Sequence, residues 1–489
     1  MVIKMEITQI TEKYQFDYML PFWKSFEAFL RVEREKSART TVYQNMYDSL
    51  ELLRFNFWLI EESYKGSLKA VFNYNQRLFN AWLNTVLYEE GETLYSYLSA
   101  LLRGIDMMAF EYPKALKEIK TEYGLHPEKG ECVKVSETDR FMLYKILPVD
   151  KNMEPAQTNG KKPILVIPPY VLGPNILAFL PKEQKSYVHA FANQGIPTYL
   201  RVVKDIENTP EVQAMTGEDD INDTMFFCSQ LKEKYGKKVT LNGFCQGGFI
   251  ALCSILSGKL DELADAVITC VAPVDGTKSG SLVEYMKNLP PRFKDLGYAT
   301  KVLPNGNQVV DGDIMSWVYK LKSIERETPV AVFLKELQNF ENGGISKTAA
   351  AVNYWLVCDR RDLPENIVKM SYDSYTIPIT KDGTLPVRLF GRELNLRHIE
   401  DKKIRWLLCV SEQDDLVDKE ASLAPLDYLK EGTDPGTVEV TVFPKGHGAI
   451  ATSWSHPDSK YALHKSFSLN NGKKYRGPVR FQLDLSLPE

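Results

Sequence analysis

The sequence predicts an α/β protein: a mostly parallel sheet with helices on both faces, interrupted by one long insertion and preceded by a helical region. Three observations predict it. Between residues 164 and 271 short apolar runs alternate with amphipathic helical stretches, the pattern of strand–helix–strand crossovers. The alternation stops near 276 and resumes at Ile404–Val410 and Val438–Phe443, so an insertion separates two strands of one sheet. Before residue 131 the apolar residues fall instead at helical spacing.

Composition sets the class. A chain of 489 residues is too long for one ordinary core. Hydrophobic residues at 44% and charged residues at 25% fit a soluble globular protein. The formal charge of −4 gives no electrostatic reason to expect nucleic acid. No apolar run reaches the ~18–20 residues of a transmembrane segment, and Met1–Glu6 lacks the apolar core of a signal peptide. The seven cysteines include no Cys-x-x-Cys pair. That suggests reduced thiols in a cytoplasm and no metal site.

The elements follow in order. Apolar stripes run through Phe22, Phe26, Phe29 and Leu30, then Leu52, Leu53, Phe55 and Trp58, then Leu78, Phe79, Trp82, Leu83 and Val86. They read as core-facing helix stripes, with a docking surface as the sharper alternative. Residues 132–135 and 140–147 read as a hairpin, and the polar segment 152–162 as a surface loop. Ile164–Ile167 is a strand stopped by Pro168-Pro169, and Tyr187–Asn193 a helix stopped by Gly195. Thr198–Val203, Lys238–Asn242 and Ala266–Val271 are further strands. A helix over Asn222–Tyr235 turns Met225, Phe226, Cys228 and Leu231 inward, and another starts at Phe249. Residues 1–130 thus form an N-terminal helical region. Residues 131–489 form the sheet-containing domain, with a cap insertion at about 276–400 that has little strand pattern. A cap there is expected over the C-terminal ends of the strands, where open α/β sheets bind ligands. The polar stretch 470–489 reads as a surface strand or tail.

One motif carries chemistry. Gly243-Phe-Cys-Gln-Gly-Gly248 directly follows a predicted strand and precedes a predicted helix. That is the context of a nucleophile elbow, with Cys245 in the place of serine, and it makes the fold an α/β-hydrolase fold. The turn is so tight that side chains two residues either side of the nucleophile would clash, and glycines 243 and 247 stand there, with Gly248 beyond. The N–H of Gln246, at the helix start, is placed to donate to an oxyanion. The order nucleophile, acid, histidine then restricts the partners. His447, in Lys445-Gly-His-Gly-Ala449 just past the last strand, is the base, because the other histidines precede the elbow or lack a strand end before them. Asp414, in the segment after Val410, is the acid, with Asp415 and Glu412 as competitors. Thiolate attack on a thioester yields another thioester at almost no cost in free energy. A cysteine therefore favours acyl transfer from a coenzyme A thioester, which is a substrate and not a cofactor.

These residues resemble the polyhydroxyalkanoate synthases. The elbow is similar to that family's Cys-containing elbow, and Gly446-His447 matches its Gly-His. Val166-Ile-Pro-Pro-Tyr170 followed by Ile176-Leu177 looks like its segment after the first core strand. Tyr354-Trp355, Asp359 and Asp362-Leu-Pro364 are similar to its cap motif. Asp415 stands where the family usually has His, and Leu356 and Val357 where asparagine and serine are usual. The resemblance implies that Cys245 holds the growing chain, His447 deprotonates it, and Asp414 activates the incoming 3-hydroxyl. It implies an oxyanion site from the backbone of Gln246 and of Tyr170 or Val171. It also implies 3-hydroxyacyl-coenzyme A and the hydroxyalkanoate chain as ligands, with a homodimer, a second synthase subunit or a storage granule as partners. A Cys-dependent thioesterase and a non-catalytic granule scaffold are the alternative functions.

Overall fold

The structure, a computed structural model, describes residues 23–24, 26–149, 161–340, 345–429, 431, 438–469 and 472–486. Met1–Glu6, Phe22, the 152–160 part of the predicted loop, and 470–471 and 487–489 of the C-terminal stretch lie outside them.

The chain divides into two compact units. One contains Met1–Thr121, Glu284–Ala299 and Asp313–Cys358; the other contains Glu122–Val283, Thr300–Gly312 and Asp359–Glu489. The boundaries thus differ from those read in the sequence, because the insertion is shared between the two. The packing explains why. Phe29 stacks on Tyr298 and meets Phe293 edge-on. Arg292, buried, pairs with Asp48 at 2.7 Å and Glu33 at 2.8 Å. A buried charge of this kind is held only when it is paired and hydrogen-bonded. Farther on, Met108, Leu337 and Phe340 form one buried cluster. The inserted helices therefore complete the core that the N-terminal helices begin.

The N-terminal region is built on one long helix, Val42–Leu87, capped by Thr41, whose side chain accepts from Gln44 N–H. Phe55, Gly66 and Ala81 are buried on one face. On the opposite face Met46, Leu50, Leu53, Phe57, Ile60 and Tyr64 are exposed, and Phe79, Trp82 and Val86 continue the row. The reading of core-facing stripes is corrected here: Phe29 and Phe55 face the core, but Phe26, Leu30, Leu53, Phe79, Trp82 and Val86 do not. The helix is amphipathic by spacing but apolar on more than the face it buries.

The second unit is organised by an eight-stranded sheet. Its strands are β1 (Cys132–Glu137), β2 (Phe141–Ile146), β3 (Ile164–Ile167), β4 (Thr198–Val203), β5 (Val239–Phe244), β6 (Ala264–Cys270), β7 (Arg405–Ser411) and β8 (Val438–Phe443). They lie in the order β1-β2-β4-β3-β5-β6-β7-β8. Strand β2 is antiparallel to both neighbours, and every pairing from β4 to β8 is parallel. Strands β3 and β5, and the helix Gln246–Leu256 after β5, are buried throughout, as expected of central parallel strands covered on both faces.

Four local readings change. The helix read at Asn222 starts at Gly217, behind a capping box of Thr216 and Asp219. Cys228 and Leu231 are buried as read, but the buried aromatic is Phe227, while Phe226 is 44% exposed. The C-terminal stretch holds the strand of the reading, Lys474–Arg476 paired with Ser466–Ser468, but continues as a helix, Pro478–Asp484, that buries Val479 and Phe481. The insertion also holds short strands, Thr384–Leu389 with Arg392–Asn395 and Thr300–Val302 with Gln308–Val310. Among the described residues no helix is long and apolar enough to cross a membrane.

Candidate active site

Strand β5 delivers Cys245 into a sharp turn. Cys245 has φ 52° and ψ −123°, a backbone region that costs an L-residue energy and persists only where its surroundings hold it. They do: Cys245 N–H donates to the Cys270 carbonyl of β6 at 2.8 Å, and Gly248 N–H donates back to the Cys245 carbonyl at 2.9 Å. Glycine is required on both sides for steric reasons. A Cβ on Gly243 would lie 2.2 Å from the Gly247 carbonyl oxygen, and one on Gly247 would lie 2.2 Å from the carbonyl of Ile167 in β3. On Gly248 it would meet the Ala272 side chain at 2.6 Å.

His447 follows β8 on a turn in which Lys445 adopts a positive φ of 69°. Its Nδ1 is 2.8 Å from Asp414 Oδ2. The other Asp414 oxygen accepts from Leu416 N–H and Val417 N–H, each at 3.0 Å. The Asp414 side chain is wholly buried. Asp415 and Glu412 are exposed, so of the three acids the structure brings Asp414 to His447. The two loops are joined by backbone bonds from Glu412 N–H to Phe443 and from Gln413 N–H to Lys445. The His447 ring also stands edge-on to Phe244, the residue before Cys245.

The electrostatics of the ring follow from these neighbours. Burial by itself disfavours the imidazolium, but the Asp414 carboxylate and the Cys245 sulfur outweigh it and hold the His447 pKa well above the ordinary value of 6.5. Nδ1 is committed to Asp414, which leaves Nε2 as the other ring nitrogen. It is buried and has no hydrogen-bond partner within ordinary limits among the described residues. The raised pKa makes a stability prediction. Because the folded value exceeds the unfolded one, the contribution of His447 is fully present below about pH 6.5 and is lost as pH rises through the folded value. The gap in Tm between wild type and His447→Gln should therefore be widest at acid pH and narrow on the alkaline side. A gap independent of pH would contradict it.

The expected oxyanion donors are not open. Tyr170 N–H and Val171 N–H, two of the three donors expected from the sequence, both donate to Gln246 Oε1, at 3.1 and 3.3 Å. The N–H of Gln246 opens its helix, where the first amides have no acceptor in the helix. The loop is anchored from behind. The Tyr170 hydroxyl bonds Asp220, which pairs with the buried Arg201 through both carboxylate oxygens at 2.6 and 2.8 Å. Sequence reasoning missed this network. Its signal was Arg201, the one charge inside the otherwise uncharged strand Thr198–Val203.

The remaining candidates have structural roles. Asp359 accepts from the Tyr123 hydroxyl, and Asp362 holds Lys301 and Gly312 N–H. His398 pairs with Asp261 and His126 with Glu128. Burial pushes the thiols of Cys132 and Cys228 up to about 12, so neither is a ready nucleophile. Among the described residues no group of three or more His, Cys, Asp or Glu is placed to hold a metal ion.

The sheet order, with its antiparallel second strand and its sharp turn after β5, is that of the α/β hydrolases, and the second unit has that fold. No family model matches the chain. Over 181 residues, 36% of its length, the chain is 26% identical to the poly(3-hydroxyalkanoate) polymerase subunit PhaC of Synechocystis sp.. The match spans 43% of that relative, less than half of it. Among solved structures, the chain is similar to Est1E from Butyrivibrio proteoclasticus at 11% identity and a TM-score of 0.31, over 65% of this chain and 90% of that one. The carbazole-degradation serine hydrolase CarC is 13% identical with a TM-score of 0.31, over 66% and 93%.

Proposed function

We propose that the chain is an acyltransferase that takes 3-hydroxyacyl groups from coenzyme A thioesters onto Cys245 and passes them to a hydroxyl, building hydroxyalkanoate oligomers or polymer. The observation that carries this reading is a cysteine on a strained elbow that interacts with a histidine held by a buried carboxylate. The partial likeness to the Synechocystis polymerase subunit points the same way.

The steps follow from the groups present. His447 Nε2 takes the Cys245 proton, and the thiolate attacks the thioester carbonyl carbon. The Gln246 N–H stabilises the resulting oxyanion. The intermediate collapses by breaking the bond to the coenzyme A sulfur, which leaves with the proton from His447. The acyl group, still a thioester, is next attacked by a 3-hydroxyl whose proton goes to His447, and Cys245 recovers that proton as the ester forms. No cofactor enters these steps. Asp414 acts here by orienting and charging His447, since its side chain is fully buried and both oxygens are engaged. The exposed apolar face of Val42–Leu87 supports a partner, either another synthase chain or a storage granule, for the helical unit.

The test supplies 3-hydroxybutyryl-coenzyme A and measures free coenzyme A and ester-linked product separately. The proposal expects both to appear together. Coenzyme A release with only free 3-hydroxybutyrate would make the protein a thioesterase, and a folded protein that releases none would make it a scaffold.

A further inference from the structure

Gln246 does more than begin the helix after Cys245. Its side chain, on a residue 6% exposed, reaches the loop after β3, where Oε1 accepts from Tyr170 N–H at 3.1 Å and Val171 N–H at 3.3 Å. Its Nε2 donates to Ser371 Oγ at 2.8 Å, on the helix Glu365–Thr376 of the insertion. Two adjacent backbone N–H groups converging beside a nucleophile are the parts of an oxyanion site. A carbonyl oxygen that accepts from both is the neutral counterpart of the tetrahedral oxyanion. The loop itself is pinned, because the Tyr170 hydroxyl is fixed to Asp220 and Asp220 to Arg201. The amide is therefore the part that can give way.

We infer that the Gln246 side chain is a built-in occupant of the oxyanion site, held there by Ser371 and displaced by the substrate carbonyl. The inference rests on the reading of Cys245 as the acylated nucleophile. In the exchange the substrate oxygen takes the two N–H donors from Oε1, and Nε2 lets go of Ser371. Entry of substrate is thereby coupled to the helix Glu365–Thr376, and a carbonyl that cannot replace both hydrogen bonds is disfavoured. Gln246 N–H stays with its helix and serves the oxyanion that forms once the exchange has taken place.

The test compares wild type, Gln246→Leu and Ser371→Ala, all carrying Cys358→Ser because Cys358 is the exposed cysteine. Single-turnover acylation of Cys245 by 3-hydroxybutyryl-coenzyme A is measured beside alkylation of Cys245 by iodoacetamide, which uses no oxyanion site. Both variants should acylate faster, by about tenfold, the scale of one net hydrogen bond removed from the competition. Their alkylation rates should equal that of wild type. Slower or unchanged acylation in Gln246→Leu would mean that the amide is a strut and overturn the inference while leaving the acyl-cysteine reading in place. Alkylation without acylation in all three proteins would overturn both. Should Gln246→Leu fold poorly, Ser371→Ala decides alone, by the same sign.

Discussion

Cys245→Ala is expected to remove thioester turnover, by about four to six orders of magnitude, while leaving the protein folded. Members of a nucleophile–base–acid unit act together, so losing one forfeits nearly all that the unit provides. Stability should change little. Alanine, like cysteine, carries a Cβ into the φ 52° turn, so the backbone cost is the same in both proteins. The part removed is one sulfur atom on a buried residue. Steady-state release of coenzyme A, read beside the Tm, checks both halves. An alanine variant that turns over within tenfold of wild type would place the nucleophile elsewhere.

Asp414→Asn is the second large effect, expected to slow acylation itself by about 10³–10⁴-fold. The hydrogen bonds around the carboxylate dictate why. Its Oδ1 accepts from Leu416 and Val417 N–H, so an asparagine keeps its oxygen there and turns its NH₂ toward His447 Nδ1. That nitrogen must then accept, which leaves the proton on Nε2 and no base for Cys245. The role implied by family resemblance, activation of the incoming hydroxyl by this carboxylate, makes the opposite prediction. On that account acylation stays fast, and acyl-enzyme accumulates. Rapid-quench measurement of acyl-enzyme against time separates them. Asp415→Ala is the control, and with its side chain exposed it should cost less than about tenfold.

The elbow was legible because its requirements are local. Glycines 243, 247 and 248 sit where a Cβ would collide, and a strand and a helix flank them within a few residues. His447 was legible by elimination and by chain order. Asp414 could be named but not separated from Asp415, since that choice depends on which side chain the turn after β7 directs inward. What lay beyond sequence reasoning was contact between distant segments. The grip of Gln246 on Tyr170 and Val171 spans 76 and 75 residues, and its tether to Ser371 spans 125. The N-terminal stripes misled because helical spacing reports an amphipathic face without saying whether a neighbour covers it. The helix Val42–Leu87 buries one face and leaves an apolar one exposed. The split of the insertion between the two units had no compositional mark either, since it follows from where Arg292, Phe293 and Tyr298 find their partners.

The central claim is that Cys245 carries the acyl group. The direct measurement is a short pulse of 3-hydroxybutyryl-coenzyme A, quenched in acid, followed by mass spectrometry of the intact protein and of its peptides. The account predicts a 3-hydroxybutyryl thioester on the peptide containing Cys245, removed by hydroxylamine and absent from Cys245→Ala. Coenzyme A released with no adduct on that peptide, or an adduct that persists in Cys245→Ala, would contradict it.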